Sequence, residues 1–411
     1  MAQIDREHIR DILDRTRTLI GECHPRLPGS PGCRRAAERL RDAWAKSCEQ
    51  AFLEEFTQHP ASFFTMNRVL AAVYLLAGPF FFLGGAGPLV SAALFSLGTF
   101  FFIDEFAFLG RFFDPLFPKK PGANAVGIME PATDVRQQIV LVAHHDSTPV
   151  CNFLEKRPWA YAFRVVSPIV FHLAANIGAI LVAAGVRTGP AGDDFLRPAV
   201  KLIILAGCVF IVPLFRYYGR TASPGASDNL VSGLLLVKLS ELLKSGGEPR
   251  PKHTRLVFLS TDGEENGQRG SFAYARRHRA EMLRTKTYVF NLDTLSRSED
   301  LACLKTDLNG FVRLSPALAG ECLKIAAGLG RPLKAIRFPF GGGGTDAGQF
   351  ARVGIESTSI IGISTRLNRG GVDYHSSRDT VEAIDPAAVE TGLAVAVRFI
   401  HDKDGEAGCL S

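Results

Sequence analysis

The sequence predicts an α/β fold: a mixed, mostly parallel sheet flanked by helices, into which two helical hairpins are inserted. Three observations carry this prediction. Short apolar runs, IVLVAHHDS (139–147), RLVFLSTDGEEN (255–266) and TYVFNLDTL (287–295), have the Val/Ile/Leu/Phe content of strands buried on both faces. Helical stretches separate them, at 229–246 and 271–285, and alternating strand and helix implies a sheet covered by helices. Two long segments nearly free of charge interrupt this pattern.

At 411 residues the chain is long enough for one large domain or two ordinary ones. Charged residues are 21% and hydrophobic ones 46%, which excludes a disordered chain. The net charge of +6 is mild, and no Lys/Arg stripe is interleaved with aromatics, so nucleic acid is not an expected partner. The first twenty residues are charged and helical in period, without the apolar core of a cleaved signal peptide. The eight cysteines are scattered and include no CxxC pair, which predicts free thiols in a reducing compartment.

The first inserted segment, 69–103, has 35 residues and no charge. As one helix it would run about 52 Å, too long for a bilayer core of about 30 Å. The GPFFFLGGAGP stretch (78–88) would break it, so the reading is a hairpin with spans near 68–84 and 88–108. A second pair follows at 165–186, which carries His172 and Asn176, and at 199–215, which holds only Lys201 as a charge. Spans this short leave a buried soluble bundle or a shallow re-entrant insertion as alternatives. The predicted organisation is an α/β domain built from 1–66, 119–158 and 219–411, with membrane hairpins at 67–118 and 159–218. Arg68, Arg111, Lys119, Lys120, Lys156, Arg157, Arg164, Arg216 and Arg220 flank the hairpins on the domain side. Arg187 and Arg197 on the far side are offset by Asp193 and Asp194. This bias predicts a multi-pass protein of the cytoplasmic membrane with its polar domain in the cytoplasm. Asp104 and Glu105, at the end of the second span, are expected among headgroups and water.

The apolar runs share a second property: each ends on imidazoles or carboxylates. In an open α/β sheet that edge is where ligands bind. A fourth run, 356–364, precedes DYHSSRDT (373–380). Imidazoles and carboxylates without thiolates suit zinc, with manganese or cobalt as alternatives, and there are more donors than one tetrahedral ion needs. Asp228, in SPGASDNLVSG (223–233), reads as a bridging carboxylate between two ions or as a helix N-cap. Side chains alternate along a strand, so His144 and Asp146 share a face and His145 points away.

AHHDS (143–147), PGASDN (224–229), TDGEENGQRGS (261–271), NLDT (291–294), GTDAGQF (344–350) and YHSSRDT (374–380), in this order, resemble the co-catalytic di-zinc aminopeptidases of metallopeptidase family twenty-eight. That family also holds glutamate carboxypeptidases, glutaminyl cyclases and inactive receptor-like members. The resemblance extends to PRLPGSPGCRRAAERL (25–40) and the closing helix, and omits the two insertions. It implies a zinc-exopeptidase fold and two Zn²⁺ ions. It implies that His144 and Asp293 hold one ion, that Glu265 and His375 hold the other, and that Asp228 bridges them. It further implies Glu264 as the general base, Tyr374 as a stabiliser of the developing oxyanion, and Asp146 as the residue that orients His144. Neighbouring residues in an extended segment point opposite ways, which suits a ligand and a base at 265 and 264. Asp379 reads either as a carboxylate on a ligating imidazole or as a helix N-cap. Ser227 and Ala347 depart from the family pattern at positions outside the ligand set. Gly341–Gly344 reads as a flexible rim or a backbone nest for a carboxylate.

The leading expectation is an aminopeptidase embedded in the membrane. It would act on peptide or aminoacyl substrates, hydrophobic ones included, at the bilayer surface. A glutaminyl cyclase-like transferase with one zinc and a non-catalytic receptor or scaffold are the alternatives. The second hairpin lies between His144 and Asp228, so it must return to the side from which it leaves.

Overall fold

The computed structural model describes residues 5–186, 188, 195–363 and 373–409. Arg187, Asp193 and Asp194 of the orientation argument, and Ser364 at the end of the fourth apolar run, lie outside these residues. The strands are β1 (Gln50–Gln58), β2 (Lys120–Met129), β3 (Gln137–His144), β4 (Pro149–Cys151), β5 (Tyr218–Ala222), β6 (Thr254–Thr261), β7 (Lys286–Asp293), β8 (Ala302–Asp307), β9 (Val312–Arg313), β10 (Lys334–Arg337) and β11 (Glu356–Ile361). All but β4 and β5 form one sheet in the order β1-β2-β6-β3-β7-β11-β8-β10, with β9 beside β8.

The sheet is mixed. Its centre, β6-β3-β7-β11, is parallel, and β1, β2, β8 and β9 add antiparallel pairs on either side. β3 is buried along its whole length, as expected of a central strand covered by helices. The helix expected over 229–246 spans Val231–Ser245 and ends at Gly246 in the left-handed conformation (φ +81). The helix expected over 271–285 is two, Arg269–Arg277 and Arg279–Arg284, which meet at His278.

The apolar insertions form helices Met66–Phe82, Gly87–Phe102, Tyr161–Ala183 and Leu196–Ile211. Taken with the turns that extend them, the last three (Gly87–Ala107, Pro158–Ala183 and Leu196–Arg216) are long and apolar enough to cross a membrane; the first is shorter. The two hairpins are not separate. Leu70, Tyr74, Phe95, Ala175, Ala179 and Ile204, drawn from all four helices, share one core. Ser96 and Thr99 bond Asn176 across it (3.0 and 2.9 Å), and the Tyr74 hydroxyl donates to the Ile204 carbonyl (3.1 Å).

Strand directions place both insertions at one edge of the sheet. The first joins β1 to β2, whose paired ends are Gln58 and Lys120. Because β2 runs antiparallel to β6, those ends lie beyond the carboxyl end of β6. The second follows β4, which starts five residues after His144, and β4 and β5 pair antiparallel to close its base. The expectation for Glu105 is overturned. It is fully buried, its carboxylate 3.4 Å from the Arg269 guanidinium, which also meets Asp114 at 3.2 Å and donates to the Gly110 carbonyl at 2.6 Å. Arg269 thus clamps the first hairpin to the sheet domain.

Candidate metal centre

His144 ends β3, Asp293 ends β7, and Glu264 and Glu265 follow β6 after Gly263, whose φ of +75 favours glycine. Asp228 and His375 come from loops. His144 Nε2 lies 3.1 Å from Asp228 Oδ1, 3.9 Å from Glu264 Oε2 and 4.0 Å from Asp293 Oδ1. His375 Nε2 lies 2.9 Å from Glu265 Oε2 and 3.2 Å from Asp228 Oδ2. Two donor sets result, His144/Asp228/Asp293 and Asp228/Glu265/His375, and within each set the donor atoms lie within 4.8 Å of one another. Asp228 belongs to both.

The chemistry of these sets fits bound cations. Asp228 Oδ2 and Glu265 Oε1 are buried without a hydrogen-bond partner. Burial and the neighbouring carboxylates push Glu264 well above the usual carboxylate range, and burial with Asp228 nearby pushes Glu265 to about 7. Burial likewise takes Asp293 to about 7. His375 rises to about 10 because Glu265 and Asp228 outweigh the opposing effect of burial. Asp228, between two imidazoles, is held below the usual range despite burial. Crowded carboxylates raised by burial and by one another are the setting in which a bound cation is favoured.

Supporting residues surround the sets. Asp146 lies beside His144 Nδ1, its carboxylate at 3.4 Å and its carbonyl at 3.3 Å. The same carboxylate accepts the backbone N–H of Glu264 (3.2 Å) and of Glu265 (3.1 Å), a role the sequence reading missed. Asp379 is neither an imidazole partner nor a helix N-cap. It accepts from the Ser227 N–H (2.8 Å), the Ser227 hydroxyl (2.6 Å) and the Asp228 N–H (3.2 Å). Asp228 is no N-cap either: its backbone is extended (φ −122, ψ 81), the bond to Asn229 is cis, and the helix begins at Val231. Asn229 ties this loop to the end of β7 through the Leu292 carbonyl (2.8 Å) and the Thr294 N–H (3.2 Å).

Gln268 donates to Glu264 Oε1 at 3.3 Å and accepts from Gln349 at 3.0 Å. Buried Arg26 donates to the carbonyls of His145 (2.8 Å), Pro224 (2.9 Å) and Gly225 (2.8 Å), which joins two of the site's loops. Single glutamines and arginines carry no sequence signal that marks them for these roles. The ring of Tyr374 stacks on His375 with centroids 3.6 Å apart. His375 itself has a left-handed backbone (φ +54), and its carbonyl accepts the Cys151 N–H at 2.8 Å. His145 faces away from both donor sets: it bonds Ser260 at 3.0 Å and lies with Cys33 and Asp262. The Gly341–Gly344 nest is already filled, because Asn309 Oδ1 accepts the Gly341 and Gly343 N–H groups (3.1 and 3.0 Å).

Residues 212–400 match the family model for peptidase family M28, a stretch that holds Asp228, Glu264, Glu265, Asp293 and His375. Over that stretch the chain is similar to peptidase family M28. Solved structures agree in fold. A glutaminyl cyclase of Porphyromonas gingivalis superposes with a TM-score of 0.56 at 14% identity, covering 98% of this chain and 100% of that one. The zinc aminopeptidase of Bacillus subtilis gives 0.56 at 13% identity, covering 98% and 96%. A Zn-dependent exopeptidase of Parabacteroides distasonis gives 0.55 at 12%, covering 95% and 97%. No curated protein matches the chain. The Ser223 hydroxyl donates to the Ser376 carbonyl (2.9 Å), which joins the loops that carry Asp228 and His375.

Proposed function

We propose that the chain is a membrane-embedded zinc exopeptidase that removes N-terminal residues from peptides. The observation that carries this reading is the pair of donor sets sharing Asp228, with the Glu264 carboxylate 3.9 Å from His144. His144 and Asp293 would hold one zinc and Glu265 and His375 the other, with Asp228 a donor in both sets. Zinc bound there would supply Lewis acidity and make water more acidic. Glu264, steadied by Gln268, takes the proton of the attacking water and passes it to the leaving amine. Tyr374 offers its hydroxyl to the oxygen that gains charge. Asp146 fixes the His144 ring and the backbone of the two glutamates.

Membrane embedding is supported by the outer faces of the four helices. Leu89 is 62% exposed, Phe163 63%, Leu202 68% and Val209 71%, in a bundle whose buried core is already packed. The basic residues that flank the hairpins favour a cytoplasmic catalytic domain.

Glutaminyl cyclisation is the second reading, because cyclases share the fold at the same similarity as the aminopeptidase. The test is to screen the purified, zinc-loaded protein against aminoacyl amides and a glutaminyl peptide, with zinc counted per chain. The exopeptidase reading expects amide hydrolysis with two zinc ions. Cyclisation of the glutaminyl peptide with one zinc and no amide hydrolysis would replace it.

A further inference from the structure

The four apolar segments do not close completely against the catalytic edge. A cavity of about 320 Å³ remains where they meet it, at the lower end of the range for small-ligand sites. Phe102, Phe106, Tyr161, Val165, Tyr217 and Phe340 are among the residues that line it. The Tyr161 and Tyr217 hydroxyls bond each other at 3.0 Å, so both are satisfied and ring carbon makes up most of what they offer.

Two stretches of the chain link the wall of this chamber to the metal centre. Gly341 lines the chamber, and a Cβ on Gly344 would stand 2.5 Å from Gln268 Nε2, the atom that bonds Glu264. Four residues therefore span from chamber wall to base, at most roughly 13 Å of extended chain. On the other side Tyr374, stacked on His375, packs against the same buried cluster as Tyr161 and Tyr217. The rim is fastened to the membrane helices as well. Asn309, which holds the glycine loop, donates to the Phe106 carbonyl at 2.7 Å, and the Phe340 ring stands edge-on to Phe106 at 6.3 Å. Val166, which lines the chamber, is 54% exposed on the third helix.

We propose that the chamber holds the aliphatic chain of a lipid-like substrate, which enters sideways from the bilayer and presents its amide to Glu264. The chemistry rests on the exopeptidase reading; the binding rests on the chamber itself. A carbon-lined wall that opens onto a membrane-facing helix suits a flexible alkyl chain already dissolved in lipid. It gives a polar peptide main chain few partners, Asn67 being one carboxamide on the wall.

The test uses the full-length, zinc-loaded protein in lipid nanodiscs and aminoacyl n-alkylamides of one residue type, from methyl to dodecyl. The ratio kcat/KM is expected to rise by about fourfold per buried methylene and then level off once the chamber is full. Val165→Trp, which narrows the chamber, should move the plateau to shorter chains, and Leu214→Phe, from the segment after the fourth helix, serves if that variant does not fold. No dependence on chain length would overturn the proposal. So would a rise identical in wild type and chamber variants, which partition into lipid alone would give. Should no amide be cleaved, even the methylamide, the exopeptidase reading fails by itself. Equilibrium binding of the radiolabelled dodecylamide then decides: weaker binding in the variants supports the chamber, and equal binding overturns it.

Discussion

The carboxylate of Asp379 accepts the backbone N–H of Asp228 at 3.2 Å, and so fixes the residue that both donor sets share from 151 residues away in sequence. Its other oxygen takes both donors of Ser227, and all of these groups are buried. Asp379→Ala leaves three buried donors without an acceptor, at about 1–3 kcal/mol each. Zinc affinity is expected to fall about 10–100-fold. Competitive zinc titration and thermal unfolding measure the two effects, and unchanged zinc affinity would remove Asp379 from the support of the centre.

Glu264→Gln keeps the size of the side chain and one acceptor for Gln268, but it cannot take a proton. Hydrolysis is expected to fall about 10²–10⁴-fold. Zinc content by elemental analysis should match wild type, because Glu264 lies outside both donor sets. Retention of full activity would refute its role as base; loss of zinc would reassign it as a ligand.

Zinc uptake should release protons near neutrality. In the metal-free protein Glu265 and Asp293 titrate at about 7, and His375 at about 10. All three are raised, so each holds its proton more firmly than when free in water and must give it up to bind a cation. Apparent zinc affinity therefore weakens as pH falls from 8 to 6, the window around those carboxylate values. Calorimetry in two buffers of different ionisation enthalpy reads the proton count directly. A count of zero at pH 7 would contradict the crowding described for the site.

Arg269→Met is expected to destabilise the chain strongly, by about 3–5 kcal/mol, since Glu105 and Asp114 would be left buried without a cation. Arg269→Lys should recover only part of this, because one ammonium replaces a fork that meets two carboxylates and a carbonyl. Thermal unfolding in detergent measures both variants. Limited proteolysis should show earlier cleavage between the first hairpin and β2. Wild-type stability in Arg269→Met would mean that the clamp holds nothing.

The centre of the sheet, the apolar segments and the residues that meet at the strand ends are legible in the amino-acid order alone. Each is a local signal. Buried strands must be apolar, their side chains alternate, and parallel neighbours bring their carboxyl ends to one edge, so His144, Glu265 and Asp293 could be read as converging without coordinates. The tertiary structure alone decided what holds those residues still and what surrounds them. Asp379, Asn229 and Arg26 act through hydrogen bonds to backbone far away in sequence, and Gln268 through side-chain bonds to Glu264 and Gln349; none of these leaves a periodic trace in the chain. Glu105 was misread for the same reason: a carboxylate at the end of an apolar helix looks solvated until its partner, 164 residues later, is seen beside it. The joining of two hairpins into one bundle, and the chamber at its foot, follow from packing between segments far apart in sequence. Hydropathy shows that such segments must be covered, but only the fold shows that they cover one another and what space they leave open.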